Sequence, residues 1–278
     1  MCIHHIMAVS PAFLRKVVLP GAALLLAAVV AWFVLIPWPW GLRSGPVGPT
    51  ALMEQRLEEA EARGETLELR QDWVALDAIS PNLVRAVLVA EDDRFREHGG
   101  IDWLALAEEV QWEGGDTFSW TSSEDRAALR RALRTVWGER DELRGRSTIT
   151  QQLAKNLYFG TNRTLLRKGM ELVVSRRLER VLEKDRILEI YLNVAEWGPG
   201  VFGAEAAART YFGKGAGQLT LFEAATLAAT LPHPLTSNPH RAPARMEWRR
   251  NNLMGRLVPT PEVDVPEILP GDSLLSVR

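Results

Sequence analysis

Two segments of this chain carry side chains whose types and spacing suit acid–base chemistry beside an anionic group. The first runs Glu91-Asp-Asp-Arg-Phe-Arg-Glu-His-Gly-Gly-Ile-Asp102, and the second Gly145-Arg-Ser-Thr-Ile-Thr-Gln-Gln-Leu-Ala-Lys-Asn156. Leu83, Val84, Val87 and Leu88 repeat at helical spacing up to Glu91. A carboxylate at the end of an apolar helix meets the negative end of the helix dipole and an apolar flank, and both disfavour its ionisation. Such a group can take or give a proton at a sugar hydroxyl. The plainer alternative is a pair of helix-ending acids, Glu91 and Asp92, neutralised by Arg94 or Arg96. His98 taken alone reads as a hydrogen-bonding residue, since no second histidine stands at metal-ligand spacing.

In the second segment Ser147 or Thr148 can cap a helix. Ser147, Gln151 and Lys155 then share one face, with Gln152 beside them, while Ile149, Leu153 and Leu157 share the opposite, buried face. A hydroxyl, amides and a cation in a row, with no acid to balance them, differ from an ordinary solvated face. A third cluster holds Arg163, Arg167, Lys168 and Glu171. Generically, Arg167 and Glu171 are an i, i+4 ion pair worth a few tenths of a kcal/mol.

These residues need helices to hold them, and the sequence supplies mostly helices. Ser80-Pro81 is a helix start with a capping serine and proline at the first helical position. Helical patterns recur over 147–158, 165–192, 203–211 and 220–231, with a short exposed helix over 51–63 and a charged one over 124–136. Strand signals are confined to short runs such as Thr66 to Leu69. Gly198-Pro-Gly-Val-Phe-Gly203 has the form G-x-G-x-x-G, but the neighbourhood lacks the βαβ pattern of a dinucleotide site. These glycines read as a turn before an alanine-rich helix.

Taken together, the first two segments resemble the first two signature motifs of the peptidoglycan glycosyltransferases. Arg167-Lys-x-x-Glu171 resembles the third, Lys184-Asp-Arg-Ile-Leu-Glu-Ile-Tyr-Leu-Asn193 the fourth, and Leu219 to Pro232 with Asn238-Pro239 the fifth. The resemblance implies a mainly α-helical, bilobed, lysozyme-like fold with a cleft between lobes. It implies polymerisation of lipid II into β-1,4-linked glycan, with inversion and release of undecaprenyl pyrophosphate. Glu91 would be the general base and Glu171 the second functional carboxylate. Lys155, Arg163, Arg167 and Lys168, with Ser147, Gln151 and Gln152, would hold the pyrophosphate and substrate. Asp92, Phe95, His98 and Asn193 would support the site, while Glu189 and Glu223 read as structural. Glu171 either holds the cations in place or helps coordinate a divalent metal. No cofactor is obligatory in this reading; Mg²⁺ or Mn²⁺ can assist, although no carboxylate cage is evident. A lytic enzyme acting on finished glycan would need no pyrophosphate site, and a catalytically dead glycan-binding protein would have no use for the intact acids. The chain contains no Ser-x-x-Lys or Lys-Thr-Gly, so the monofunctional type without transpeptidase activity is expected. Partners expected from the resemblance are lipid II, the growing glycan chain, penicillin-binding transpeptidases and other cell-wall synthesis proteins.

The formal net charge of −2 argues against a nucleic-acid partner held by bulk charge, and the single cysteine, Cys2, excludes an internal disulfide. Val17 to Ile36 carries no charge, is preceded by Arg15 and Lys16, and is about the length that spans a bilayer. The positive-inside rule puts the N-terminus in the cytoplasm and the rest outside, with Trp38 and Trp40 at the outer interface. A cleaved signal peptide is the competing reading, but Pro37-Trp38-Pro39-Trp40 is a poor cleavage site. The expected organisation is a cytoplasmic tail over 1–16, a single-pass inner-membrane anchor over 17–36 and a linker and juxtamembrane segment over 37–68. A periplasmic catalytic domain over 69–257 and a flexible tail over 258–278 complete it. Region 108–144 is expected to be less constrained, and the resemblance implies a mobile region between the first two motifs, close to the membrane.

Overall fold

The computed structural model describes residues 16, 18–35, 38–109, 112, 119, 121–138, 147–161 and 164–258. The chain is mainly helical, as expected. In order it forms α1 (Leu19–Leu35), α2 (Ala51–Ala62), β1 (Arg70–Gln71), α3 (Pro81–Glu91), α4 (Trp103–Glu109), α5 (Ser123–Gly138), α6 (Ile149–Tyr158), α7 (Leu165–Val181) and α8 (Lys184–Val194). A hairpin of β2 (Glu196–Gly198) and β3 (Val201–Phe202) follows, then α9 (Ala204–Phe212), α10 (Leu221–Ala228) and α11 (Ala244–Leu257). Expected residues 17, 36, 163 and 259–278 lie outside the described residues.

Helix α3 starts where its cap dictates. The Ser80 hydroxyl accepts from Asn82 N and donates to Leu219 O at 2.9 Å, tying the helix to the segment before α10. Leu83, Ala86 and Val87 are buried where α3 packs on α10 and α11. Helix α6 buries Ile149, Leu153 and Leu157, as its apolar face requires, against α7, α8 and α2. One contiguous apolar core runs through both groups of helices.

Four expectations need correction. The pattern over 165–192 is two helices, because Leu182 and Glu183 are extended, and Leu182 is buried. The helix over 51–63 is no free surface element: Leu52, Met53 and Ala60 are buried and Arg56 pairs with Glu196 at 2.9 Å. The strand near Thr66–Leu69 forms at Arg70–Gln71, where Arg70 N donates to Gly200 O at 2.8 Å. Within the expected linker over 37–68, the part over 41–50 is docked: Arg186 donates to Leu42 O at 2.8 Å and to Gly45 O.

Strand β1 pairs parallel with β3, and β3 pairs antiparallel with β2. The glycine-rich stretch over 198–203 is therefore a hairpin, which agrees with setting aside a dinucleotide site. At Gly203, φ is +83° and a Cβ would meet Asn193 O at 2.8 Å, so only glycine fits this close approach. Among the described residues, no helix is long and apolar enough to cross a membrane. Helix α1 is apolar and charge-free but has 17 residues, roughly 26 Å at 1.5 Å per residue.

Candidate active site

Glu91 is the last residue of α3 and lines a cleft of about 380 Å³ with Asp92, Asp93, Arg94, Asp102, Ser147, Thr148 and Arg256. Gln152, on α6, donates from Nε2 to Glu91 Oε2 at 2.7 Å and to Ser147 O at 3.2 Å. The Tyr191 hydroxyl, on α8, donates to Gln152 Oε1 at 2.9 Å. Glu91 Oε1 has no hydrogen-bond partner among the described residues. Burial raises the Glu91 pKa, Gln152, Lys155 and Arg249 pull it back, and Asp92 adds to the rise. A carboxylate so placed is a better base than an ordinary one, with one oxygen fixed and the other available.

Asp92 and His98 serve Glu91 indirectly. Asp92 Oδ2 accepts from Ile149 N at 3.0 Å, the first residue of α6, and Oδ1 lies 2.8 Å from His98 Nε2. His98 Nδ1 accepts from Gly100 N at 3.2 Å, so Nε2 carries the proton toward Asp92. Gly100 O in turn accepts from the Thr148 hydroxyl at 2.8 Å and Gln151 Nε2 at 3.2 Å. The loop after Glu91 and the start of α6 are thus joined by three hydrogen bonds, and the Gly100–His98 bond braces the loop itself. Phe95 is buried beneath them, with Lys184 Nζ 4.2 Å from its ring centroid. The alternative of Glu91 or Asp92 pairing with Arg94 or Arg96 does not hold. Arg94 pairs with Asp102 at 3.0 Å and Arg96 with Asp185 at 2.6 Å.

The cations gather on the other side. Glu171, buried on α7, pairs with Arg167 and lies 3.4 Å from Lys168. Lys168 Nζ reaches back to Ser147 Oγ at 3.1 Å and Gln151 Oε1 at 3.3 Å. The Lys155 ammonium makes no hydrogen bond or ion pair among the described residues. Burial lowers its pKa, Glu171 and Glu91 work against that, and Arg167 and Lys168 reinforce it. An unpaired ammonium among two other cations is suited to an incoming anion. The polar face of α6 divides differently from expectation: Gln151 is buried and holds the scaffold, while Gln152 touches Glu91. Arg163 lies outside the described residues.

Asp92, His98 and Asp102 place ligand-type atoms within 4.8 Å of one another. Both oxygens of Asp92 are engaged by Ile149 N and His98, and both of Asp102 by Arg94. The donor set is therefore that of a closed hydrogen-bond network and does not fit a divalent ion. Glu171 faces two cations, which also disfavours a metal there.

Asn193 holds the backbone of neighbouring segments. Its side chain accepts from Val74 N at 3.0 Å and donates to Val74 O at 2.9 Å and Glu189 O at 2.8 Å. Glu189 pairs with Arg186, and Glu223 closes a capping box with Thr220. Sequence reasoning missed Tyr191 and Arg249. A tyrosine in a buried helical stretch needs a partner for its hydroxyl, which was the available signal. Arg249, on α11, has its Nη1 buried with no hydrogen-bond partner among the described residues and acts electrostatically on Glu91.

Residues 59–116 and 116–258 match the family described as Transglycosylase. A biosynthetic peptidoglycan transglycosylase of Bordetella pertussis is 44% identical over 210 residues, covering 76% of this chain and 79% of the relative. Proteins of the same name from Aromatoleum aromaticum and Rhodospirillum centenum are 42% identical over 225 residues and 40% over 255. These alignments cover 79% of this chain and 87% of the relative, and 90% of this chain and 93% of the relative, respectively. With a family match over most of its length and relatives up to 44% identical, the chain belongs to the transglycosylase family.

Proposed function

We propose that this glycosyltransferase of peptidoglycan synthesis polymerises lipid II, with Glu91 as general base. The observation that carries the reading is the pairing of a buried, amide-held Glu91 with an unpaired Lys155 beside Arg167 and Lys168. Glu91 takes the proton from the 4-hydroxyl of the acceptor's N-acetylglucosamine. That oxygen attacks C1 of the donor's N-acetylmuramic acid, and undecaprenyl pyrophosphate leaves from the opposite face. An α-linked donor becomes a β-1,4 linkage. Lys155, Arg163, Arg167 and Lys168 stabilise the charge that builds on the departing pyrophosphate. Glu171 holds Arg167 and Lys168 in place, and no step is routed through Mg²⁺ or Mn²⁺. A lytic reaction would leave the cation cluster without a role.

A cleft shared by a lysozyme-like pair of lobes is the arrangement that accommodates both sugars, and the meeting of α3 with α6 at Glu91 supports it. Both substrates carry polyprenyl tails, and the charge-free sequence from Val17 to Ile36 suits an anchor in the inner membrane with the catalytic domain in the periplasm. Penicillin-binding transpeptidases are the partners that would cross-link the strand.

Labelled lipid II incubated with full-length protein in detergent tests the reading. Glycan chains from the wild type and none from Glu91→Gln are expected. Lysis of purified peptidoglycan without polymer formation would overturn it.

A further inference from the structure

Helix α2 reaches into the cation cluster through one side chain. Gln55 Nε2 donates to Thr161 Oγ1 at 2.6 Å, and Thr161 N donates to Gln55 Oε1 at 2.7 Å. Both ends of one amide thus grip one residue of the turn that follows α6. Gln55 Nε2 also donates to Glu59 Oε1 at 2.5 Å, which fixes the side chain along its own helix. The turn is set by Gly160, with φ of +63°, where any Cβ would collide with Gln55 Oε1. Gly160 N donates to Lys155 O at 2.9 Å, and Gly160 O accepts from Arg167 Nη1 at 3.3 Å. Arg167 then pairs with Glu171. The backbone of one phosphate-facing cation and the guanidinium of another therefore meet at a single glycine, and Gln55 is the clamp on the residue next to it.

The clamp has a firm base. Helix α2 is capped by Thr50, buries Leu52, Met53 and Ala60, and is pinned by the Arg56–Glu196 pair. Gln55 precedes the first residue matched to the family, residue 59. An amide is suited to this task because it donates and accepts at once, and so reads both the N–H and the hydroxyl of Thr161.

We propose that Gln55 is a positioning residue for the pyrophosphate site, acting through the Gly160–Thr161 turn on Arg167. The assignment rests on the functional reading above and deepens it. Gln55 touches no reacting atom; it sets where the guanidinium stands when the diphosphate arrives.

The test measures binding of undecaprenyl pyrophosphate and undecaprenyl monophosphate to full-length protein in detergent, beside lipid II polymerisation. Gln55→Met removes both hydrogen bonds to Thr161, and the one to Glu59, at similar volume, and is expected to weaken pyrophosphate binding roughly tenfold, as befits the two lost to the turn. Monophosphate binding should change less than the pyrophosphate does. Thr161→Val removes only the hydroxyl's half of the contact and should lose a smaller part of the same affinity, while Thr161→Ser keeps the hydroxyl and the affinity. The double variant Gln55→Met with Thr161→Val should lose little more than Gln55→Met alone, the signature of one shared interaction. Equal loss for both ligands, or additive effects, would mark a merely structural contact and overturn the assignment. A wild type that binds the pyrophosphate and polymerises lipid II, with Gln55→Met unchanged, overturns this assignment alone. A wild type that does neither overturns the functional reading with it.

Discussion

Gln152 Nε2 meets Glu91 Oε2 at 2.7 Å, joining residues 61 positions apart. The amide cannot turn over without losing the Tyr191 hydroxyl, which donates to its oxygen at 2.9 Å. Three helices, α3, α6 and α8, therefore converge on one carboxylate through one amide. The amide N–H favours the ionised acid while burial opposes it, so the proton affinity of Glu91 is set by their balance.

That balance predicts a bell-shaped dependence of kcat/KM on pH. The acid limb follows Glu91, whose pKa burial raises, and therefore lies above the range of an ordinary carboxylate. The basic limb follows Lys155, whose pKa burial lowers, and lies below the ordinary lysine range. Initial rates of lipid II polymerisation across pH check both limbs. A profile flat up to the ordinary lysine range would remove Lys155 from the reaction.

Tyr191→Phe frees the Gln152 amide to rotate while keeping the ring in the core. Losing one hydrogen bond of about 0.5–1.5 kcal/mol predicts a fall in kcat of roughly threefold to tenfold. The acid limb should also move to higher pH, because the carboxylate loses part of its stabilisation. Unchanged kinetics with a lowered Tm would show that the hydroxyl serves packing alone.

Glu91 should also destabilise the fold at neutral pH. Its folded-state pKa is raised, so the native protein binds more protons than the unfolded chain between the two values, and stability falls as pH rises through that window. Glu91→Gln does not titrate and escapes this loss. Calorimetry should find the variant's Tm advantage widening from acid to neutral pH; a constant gap would contradict the shift.

Asp92→Asn tests the weld between the Glu91 loop and α6. The carboxylate accepts from two donors, Ile149 N and His98 Nε2, and an amide presents only one accepting end. The unmatched donor predicts a loss of about 1–3 kcal/mol in urea unfolding. A loss within error would mean that water replaces the acid freely.

How much of this was legible depended on sequence distance. Glu91, Gln152, Lys155 and Glu171 stand in compact motifs, and helical spacing alone sorts the faces of α6. The role exchanged between Gln151 and Gln152 was not legible, because Gly100 O decides it from another segment. Gln55 was hidden for the same reason: its partner lies 106 positions away, and a glutamine on a charged helix carries no local mark of a contact. The break after Val181 was masked by an apolar period that continues through Leu182 into α8.

The parallel pairing of β1 with β3 also governs how the domain comes into being. Arg70 and Gln71 find their partners only at Val201 and Phe202, and Arg56 waits for Glu196, 140 positions later. A chain emerging from its N-terminus must therefore carry α2 and β1 unpaired until the hairpin has been delivered. Contacts of such separation delay closure, so the early segments remain available to chaperones and proteases until the hairpin arrives. Glu91 meets Gln152 and Tyr191 only when α6 and α8 have docked, and a truncated chain ending before the hairpin carries α2 and β1 without their partners.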